Sequence, residues 1–209
     1  MRWENELMGL ADAMQAEMIA CRRDLHHYPE TGWTEYRTAA KAAARLQELG
    51  YVVQTGAETI TKDCMMGVPQ ADVLRAAEKR AVEEGADAAG VAKMEGGRTG
   101  VVGTMHFGAG GPVVAIRFDM DCNDVTETDS AEHRPNQEGF ASCHKGAMHA
   151  CGHDGHTTVG LALAALLMRF KEELNGTVKL CFQPAEEGVR GAHAMVASGI
   201  VDDVDYMLG

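Results

Sequence analysis

"HTTVGLALAALLMRFKEELNGTVKLCFQ", residues 156–183, changes its periodicity partway along. The first part is a strongly apolar helix, with Asn175 and Gly176 as its end signal. "TVKLCFQ", residues 177–183, then reads as a buried strand. A helix feeding directly into a buried strand is the unit from which α/β proteins are built, and the rest of the chain keeps to that alternation.

Upstream, helical periodicity over about residues 5–27 stops near Pro29, and "EYRTAAKAAARLQELG", 35–50, is a second helix that ends at Gly50. "YVVQ", 51–54, is a short strand. An excursion over 61–97 holds "PQADVLRAAEKRAVEEGADAAG", 69–90, with proline at its start and charges along one face, which predicts a solvated connecting helix. "TGVVGTMHF", 99–107, and "GPVVAIRF", 111–118, flank the glycine-rich "GAGG" of 108–111 and predict a β-hairpin. Roughly 30 mostly polar residues follow Asp119, and loops of that length in compact domains are usually functional or disordered. Downstream, "GAHAMVASGI", 191–200, is a short helix and "DYMLG", 205–209, begins a strand.

Composition narrows the function classes. The chain has 209 residues, 45% of them hydrophobic, enough for a real core. Nineteen Lys and Arg against 31 Asp and Glu give a formal charge of −12, which argues against nonspecific binding to nucleic acid or anionic membranes. The first 27 residues lack the apolar run of a signal peptide or membrane span, so a cytoplasmic protein is expected. Six cysteines without a framework spacing read as free thiols.

Chemistry concentrates on either side of the opening stretch. Just before it, "MHACGHDGH", 148–156, packs three histidines, a cysteine and an aspartate into nine positions. Residues two apart diverge by about 200° on a helix but share a side in extended chain. Cys151 and His153 are therefore expected to converge ahead of the helix, with His149 sharing their parity and Gly152 and Gly155 disfavouring helix there. A thiolate at a helix mouth is stabilised by the dipole, and thiolate plus imidazole suits zinc and its neighbours. Just after the stretch, "FQPAEEGVRGA", 182–192, sets Glu186 beside Glu187. The pair has two readings: acids complementing a helix N-terminus, or a metal ligand beside a general base. "RFDMD", 117–121, adds Asp119 and Asp121 at a strand end, either as a turn signal or as groups that orient ligands or touch the metal, and Asp154 joins the same short list.

Four blocks in this order, "RRDLHHYPETGWTEYRT" (22–38), "RFDMD", "MHACGHDGH" and "FQPAEEG" (182–188), resemble the metal-dependent amidohydrolases that include hippurate hydrolase and the indole-acetyl-amino-acid hydrolases. "MGVP" (66–69), "EGGRTG" (95–100) and "HRPNQEGFASCHKGAMHACGHDGH" (133–156) bring the chain nearer the aminobenzoyl-glutamate hydrolase branch of that family. The resemblance implies an open mixed β-sheet with helices on both faces, a zinc-peptidase-like catalytic domain of which residues 1–209 are the first part. The lid domain and further histidine ligands would lie beyond. It also implies Cys151, His153 and Glu187 as metal ligands, Glu186 as general base, and a pair of divalent ions, manganese or zinc. The implied reaction is hydrolysis of an acyl- or aroyl-amino acid such as p-aminobenzoyl-glutamate, in a homo-oligomer or a hetero-oligomer with a related chain. "DMDCN" (119–123) departs from the family's "DMDAL". Two other readings stand beside this one: an incomplete chain that only binds metal or a partner, and a hydrolase with Cys151 as nucleophile.

Overall fold

The computed structural model describes residues 2–209. Its elements are α1 (Arg2–His27), α2 (Tyr36–Glu48), β1 (Val52–Thr55), α3 (Ala71–Glu83), α4 (Ala88–Ala92), β2 (Val101–Phe107), β3 (Val113–Asp119), α5 (Arg134–Gln137), α6 (His153–Arg169), β4 (Gly176–Gln183), α7 (Gly191–Val196) and β5 (Tyr206–Leu208). The strands form one mixed sheet in the order β1-β2-β4-β3-β5, antiparallel across β1, β2 and β4 and parallel across β4, β3 and β5.

The expected hairpin of β2 and β3 does not form. β4 lies between them, pairing Val101↔Phe182 on one side and Phe118↔Phe182 on the other. The GAGG link instead bends around the start of β4, where the Thr177 N–H donates to the Pro112 carbonyl at 2.9 Å. A Cβ on Gly111 would come within 2.8 Å of Gly176, so the glycines serve a close crossing of two segments. β4 takes the centre because it is apolar on both sides: Leu180 and Phe182 face a core shared with α2 and α6, and Cys181 faces a second core with Ala194 and Met195 of α7. Full burial of a side chain such as Phe182 contributes roughly 2–3 kcal/mol relative to exposure.

Helices thus cover both faces. α6 comes so close to the sheet that a Cβ on Gly160 would stand 2.7 Å from the Phe118 ring and 2.8 Å from that of Phe182. α3 is more than the solvated connector expected, since Leu74, Ala77 and Ala81 are buried and the two alanines belong to the same core as α2. The six cysteines are free thiols. Among the described residues no helix is long and apolar enough to cross a membrane.

The register that pairs Asp119 with Gln183 brings the ends of β3 and β4 together. "RFDMD" and "QPAEE" therefore leave the parallel strands at the same carboxyl edge, where open α/β sheets bind ligands.

Candidate metal centre

His153 is the first residue of α6, not a residue ahead of it as the sequence suggested. Gly152 precedes it at φ 91°, a left-handed turn that glycine adopts without strain, so the helix begins early and includes Gly155. His153 Nδ1 donates to the Asp121 backbone carbonyl at 2.8 Å. That bond fixes the tautomer and turns Nε2 outward, 3.7 Å from Glu186 Oε2. Burial works against the imidazolium, yet hydrogen bonding to Asp121 and the nearby aspartate charges prevail and push His153 up to about 9.

The two glutamates are presented by a tight turn after β4. Ala185 and Val189 both take positive φ, 50° and 59°, which costs a residue with a Cβ about 1 kcal/mol or more. Two buried carboxylates hold the turn in place. Asp121 accepts the N–H groups of Glu186 and Glu187 at 3.0 and 2.9 Å, and Glu35 accepts that of Ala185 at 2.8 Å. As a result His153, Glu186 and Glu187 each offer a donor atom within 4.8 Å of the others.

Cys151 stands beside this trio. Its sulfur accepts from Asn123 Nδ2 at 3.3 Å, and Asn123 Oδ1 in turn accepts the Ala150 and Cys151 N–H groups at 3.1 and 3.0 Å. The hydrogen bond to Glu187 raises the thiol pKa, outweighing the opposing bond from Asn123.

The remaining candidates divide. Asp119 turns to His156, whose Nδ1 accepts the Asp119 N–H at 3.0 Å and lies 3.2 Å from Oδ2, while Asp121 serves His153 and the glutamate turn. The two aspartates thus have different hydrogen-bond partners, although the charge of each acts on His153. Asp154 points back to α1, accepting from His26 Nδ1 at 2.9 Å and Arg22 Nε at 3.2 Å. His149 is buried, and burial pushes it down to about 4.

Unpartnered atoms mark what the arrangement lacks. Both ring nitrogens of His149, Oε1 of Glu187 and Oδ1 of Asp119 are buried without a hydrogen-bond partner. Each such atom costs about 1–3 kcal/mol unless something satisfies it. Imidazole, carboxylate and a nearby thiol form a donor set that fits a divalent transition ion.

Several contributors carried no readable signal. Asn123 was visible only as a departure from "DMDAL", yet it braces Cys151. Glu35 sits inside a recognised block but, without its distant partners Ala185 and Thr99, looks like any helix-proximal acid. His26 bridges Asp154 and Glu127, 3.0 Å from the latter, through contacts more than 100 residues apart in sequence.

The fold and its blocks match known proteins. Residues 115–209 match the model of peptidase family M20/M25/M40. The chain is 53% identical over 190 residues to indole-3-acetyl-aspartic acid hydrolase of Enterobacter agglomerans, covering 91% of this chain and 44% of that protein. It is 52% identical over 200 residues to the A subunit of p-aminobenzoyl-glutamate hydrolase from Escherichia coli K12, covering 96% and 46%. The chain thus spans less than half the length of these relatives. Among solved structures, aminobenzoyl-glutamate utilization protein from Klebsiella pneumoniae superposes with a TM-score of 0.81 at 41% identity, over 97% of this chain and 45% of that one. A Bacillus subtilis protein described as a dinuclear metal binding peptidase superposes with a TM-score of 0.66 at 30% identity, over 94% and 42%. The chain is thus similar to the M20/M25/M40 peptidase family over residues 115–209, and to these hydrolases over nearly all of its own length.

Proposed function

We propose that these residues are part of the catalytic domain of a metal-dependent amidohydrolase that cleaves the bond between an acyl or aroyl group and an amino acid, with p-aminobenzoyl-glutamate as the substrate. The observation that carries this reading is the meeting of His153, Glu186 and Glu187 at the carboxyl edge of the sheet, next to buried atoms that lack partners. The substrate class rests on the relatives named for aminobenzoyl-glutamate and indole-acetyl-aspartate hydrolysis. Assembly with a second, different chain is part of the same reading, and rests on the Escherichia coli relative being named as one of a hydrolase's subunits.

In this reading His153, Glu187 and Cys151 hold a divalent ion, manganese or zinc, with a second ion alongside it. When bound, the metal supplies Lewis acidity, acidifying water and stabilising negative charge on the scissile carbonyl oxygen. Glu186 acts as general base: its carboxylate takes a proton from the attacking water and returns it to the amine nitrogen as the C–N bond breaks. Its side chain is 37% exposed, so substrate and water can reach it. Asp121 positions the metal ligand His153 through its carbonyl and both glutamates through its carboxylate. The donors here form an open set, and we propose that residues outside these 209 complete it.

The test is to load residues 1–209, together with any further segment that completes the site, with manganese or zinc and assay p-aminobenzoyl-glutamate, indole-3-acetyl-aspartate and hippurate. Chelator-sensitive hydrolysis, highest in kcat/KM for p-aminobenzoyl-glutamate, is expected, with residues 1–209 alone far slower. Absence of hydrolysis of all three by folded, metal-loaded protein would overturn the reading.

A further inference from the structure

A second group of donors lies away from the glutamate turn. Glu84, at the carboxyl end of α3, and Cys143 and His144, in the long loop before α6, bring a carboxylate oxygen, a sulfur and an imidazole nitrogen within 4.8 Å of one another. His144 Nδ1 lies 2.7 Å from the Pro29 carbonyl oxygen, which only accepts, so Nδ1 carries a proton. Nε2 therefore faces Glu84 Oε1, at 2.6 Å. A neutral imidazole and a carboxylate would meet there as two acceptors, and the contact needs a cation, either a proton or a metal. An Nδ1–H held by a backbone carbonyl is also how proteins orient a ligand histidine.

Three other observations favour an ion. Glu84 Oε2 is buried with no partner. Cys143 has its backbone N–H tied to the His27 carbonyl at 2.9 Å while its side chain is exposed, so the sulfur is positioned and reachable. Of the neighbouring cations, Arg37 is paired with Asp24 at 2.8 Å, and Arg80 forms no ion pair with Glu84 among the described residues, its Nε being buried without a partner.

We propose that Glu84, Cys143 and His144 form a further binding site for a divalent transition ion of the zinc class, separate from the site at Glu186 and Glu187. Sulfur, imidazole and carboxylate together are a zinc-type donor set. With bonds of about 2.0–2.3 Å to a tetrahedral ion, ligand atoms stand roughly 3.3 Å or more apart, so the Glu84 and His144 contact opens slightly on binding. The Cys143 S–H proton goes to solvent as the sulfur–metal bond forms. Thiolate and carboxylate then balance the charge of the ion. The ion would join the end of α3 to the loop that leads into "MHACGHDGH".

The experiment is a cobalt(II) titration of chelator-stripped protein carrying Cys151→Ser, which removes sulfur from the other site. A thiolate-to-cobalt charge-transfer band is expected, lost on adding Cys143→Ser and shifted at least tenfold to higher cobalt by His144→Ala. A missing band in the Cys151→Ser protein, or one that survives Cys143→Ser, overturns the proposal. Alkylation of Cys143 in the unsubstituted protein, followed by peptide mass, needs no variant: zinc is expected to slow it severalfold, and an unchanged rate overturns the proposal.

Discussion

Glu30 and Glu35 are as deeply buried as any side chain in the protein, and His149 and Asp119 are buried too, but the two pairs are treated differently. Glu30 accepts the N–H groups of Arg37 and Thr38 at 3.0 and 2.8 Å, and Glu35 accepts from Ala185 and Thr99 at 2.8 and 2.6 Å. Every carboxylate oxygen there has a partner. His149 has none for either nitrogen, and Asp119 none for Oδ1. Burial alone does not separate a structural polar group from a ligand site. Satisfaction sets the second pair apart, since a polar group that serves the fold alone usually has its partners within it, although Thr38 Oγ1, Arg80 Nε and Arg117 Nε are also buried without one.

The contrast has consequences that mutation can break. Glu30→Ala strands two buried amides, at roughly 1–3 kcal/mol for each, and should give the largest loss of stability, seen as a lower denaturant midpoint with the metal centre's composition unchanged. His149→Phe should do the reverse: apo-protein stability is kept or improved, because two buried nitrogens without partners are removed, while metal retained after dialysis falls. A loss of stability as large as that of Glu30→Ala would erase the distinction drawn between the two pairs.

Asp121→Asn sharpens the comparison from the positioning side. Asn can accept only one of the two N–H groups that Asp121 now holds, so the glutamate turn loosens. Outer-shell changes of this kind typically cost about 10–100-fold in metal affinity, to be read by competition with a chelator. Unchanged affinity would remove Asp121 from the account.

Glu35 yields the smallest and most pH-specific effect. Burial first, and then the Asp121 charge, raise its carboxyl pKa above the ordinary glutamate value. Since the folded state binds the proton more tightly, this contribution to stability is full below the unfolded pKa and declines as pH rises through the gap. Glu35→Gln should therefore flatten the fall in stability on the alkaline side of the ordinary carboxylate range, measured as melting temperature against pH. An unaltered profile would mean that Glu35 is ionised in the folded protein.

Local patterns were legible in the sequence and long-range ones were not. The helix and strand of 156–183 were readable because Leu and Ala periodicity gives way to an apolar run, although α6 ends at Arg169, capped by Phe170, short of its expected end signal at Asn175 and Gly176. The hairpin reading failed because adjacency favours pairing neighbours, and nothing between Phe107 and Val113 announces that β4 will be inserted. The start of α6 was misplaced because Gly152 and Gly155 look alike in sequence, whereas one turns left-handed before the helix and the other lies within it. The donor residues were visible by type. Their braces, Asn123 for Cys151 and His26 for Asp154, depend on contacts across loops and had no local sign.

The central claim is that adjacent glutamates have separate duties, and one paired measurement tests it: metal per chain by atomic spectroscopy alongside turnover, for Glu186→Gln and Glu187→Gln in the active polypeptide. The account expects Glu186→Gln to keep its metal and lose about 10²–10⁴-fold in kcat, and Glu187→Gln to lose metal and activity together. Metal loss in Glu186→Gln with retention in Glu187→Gln would contradict it.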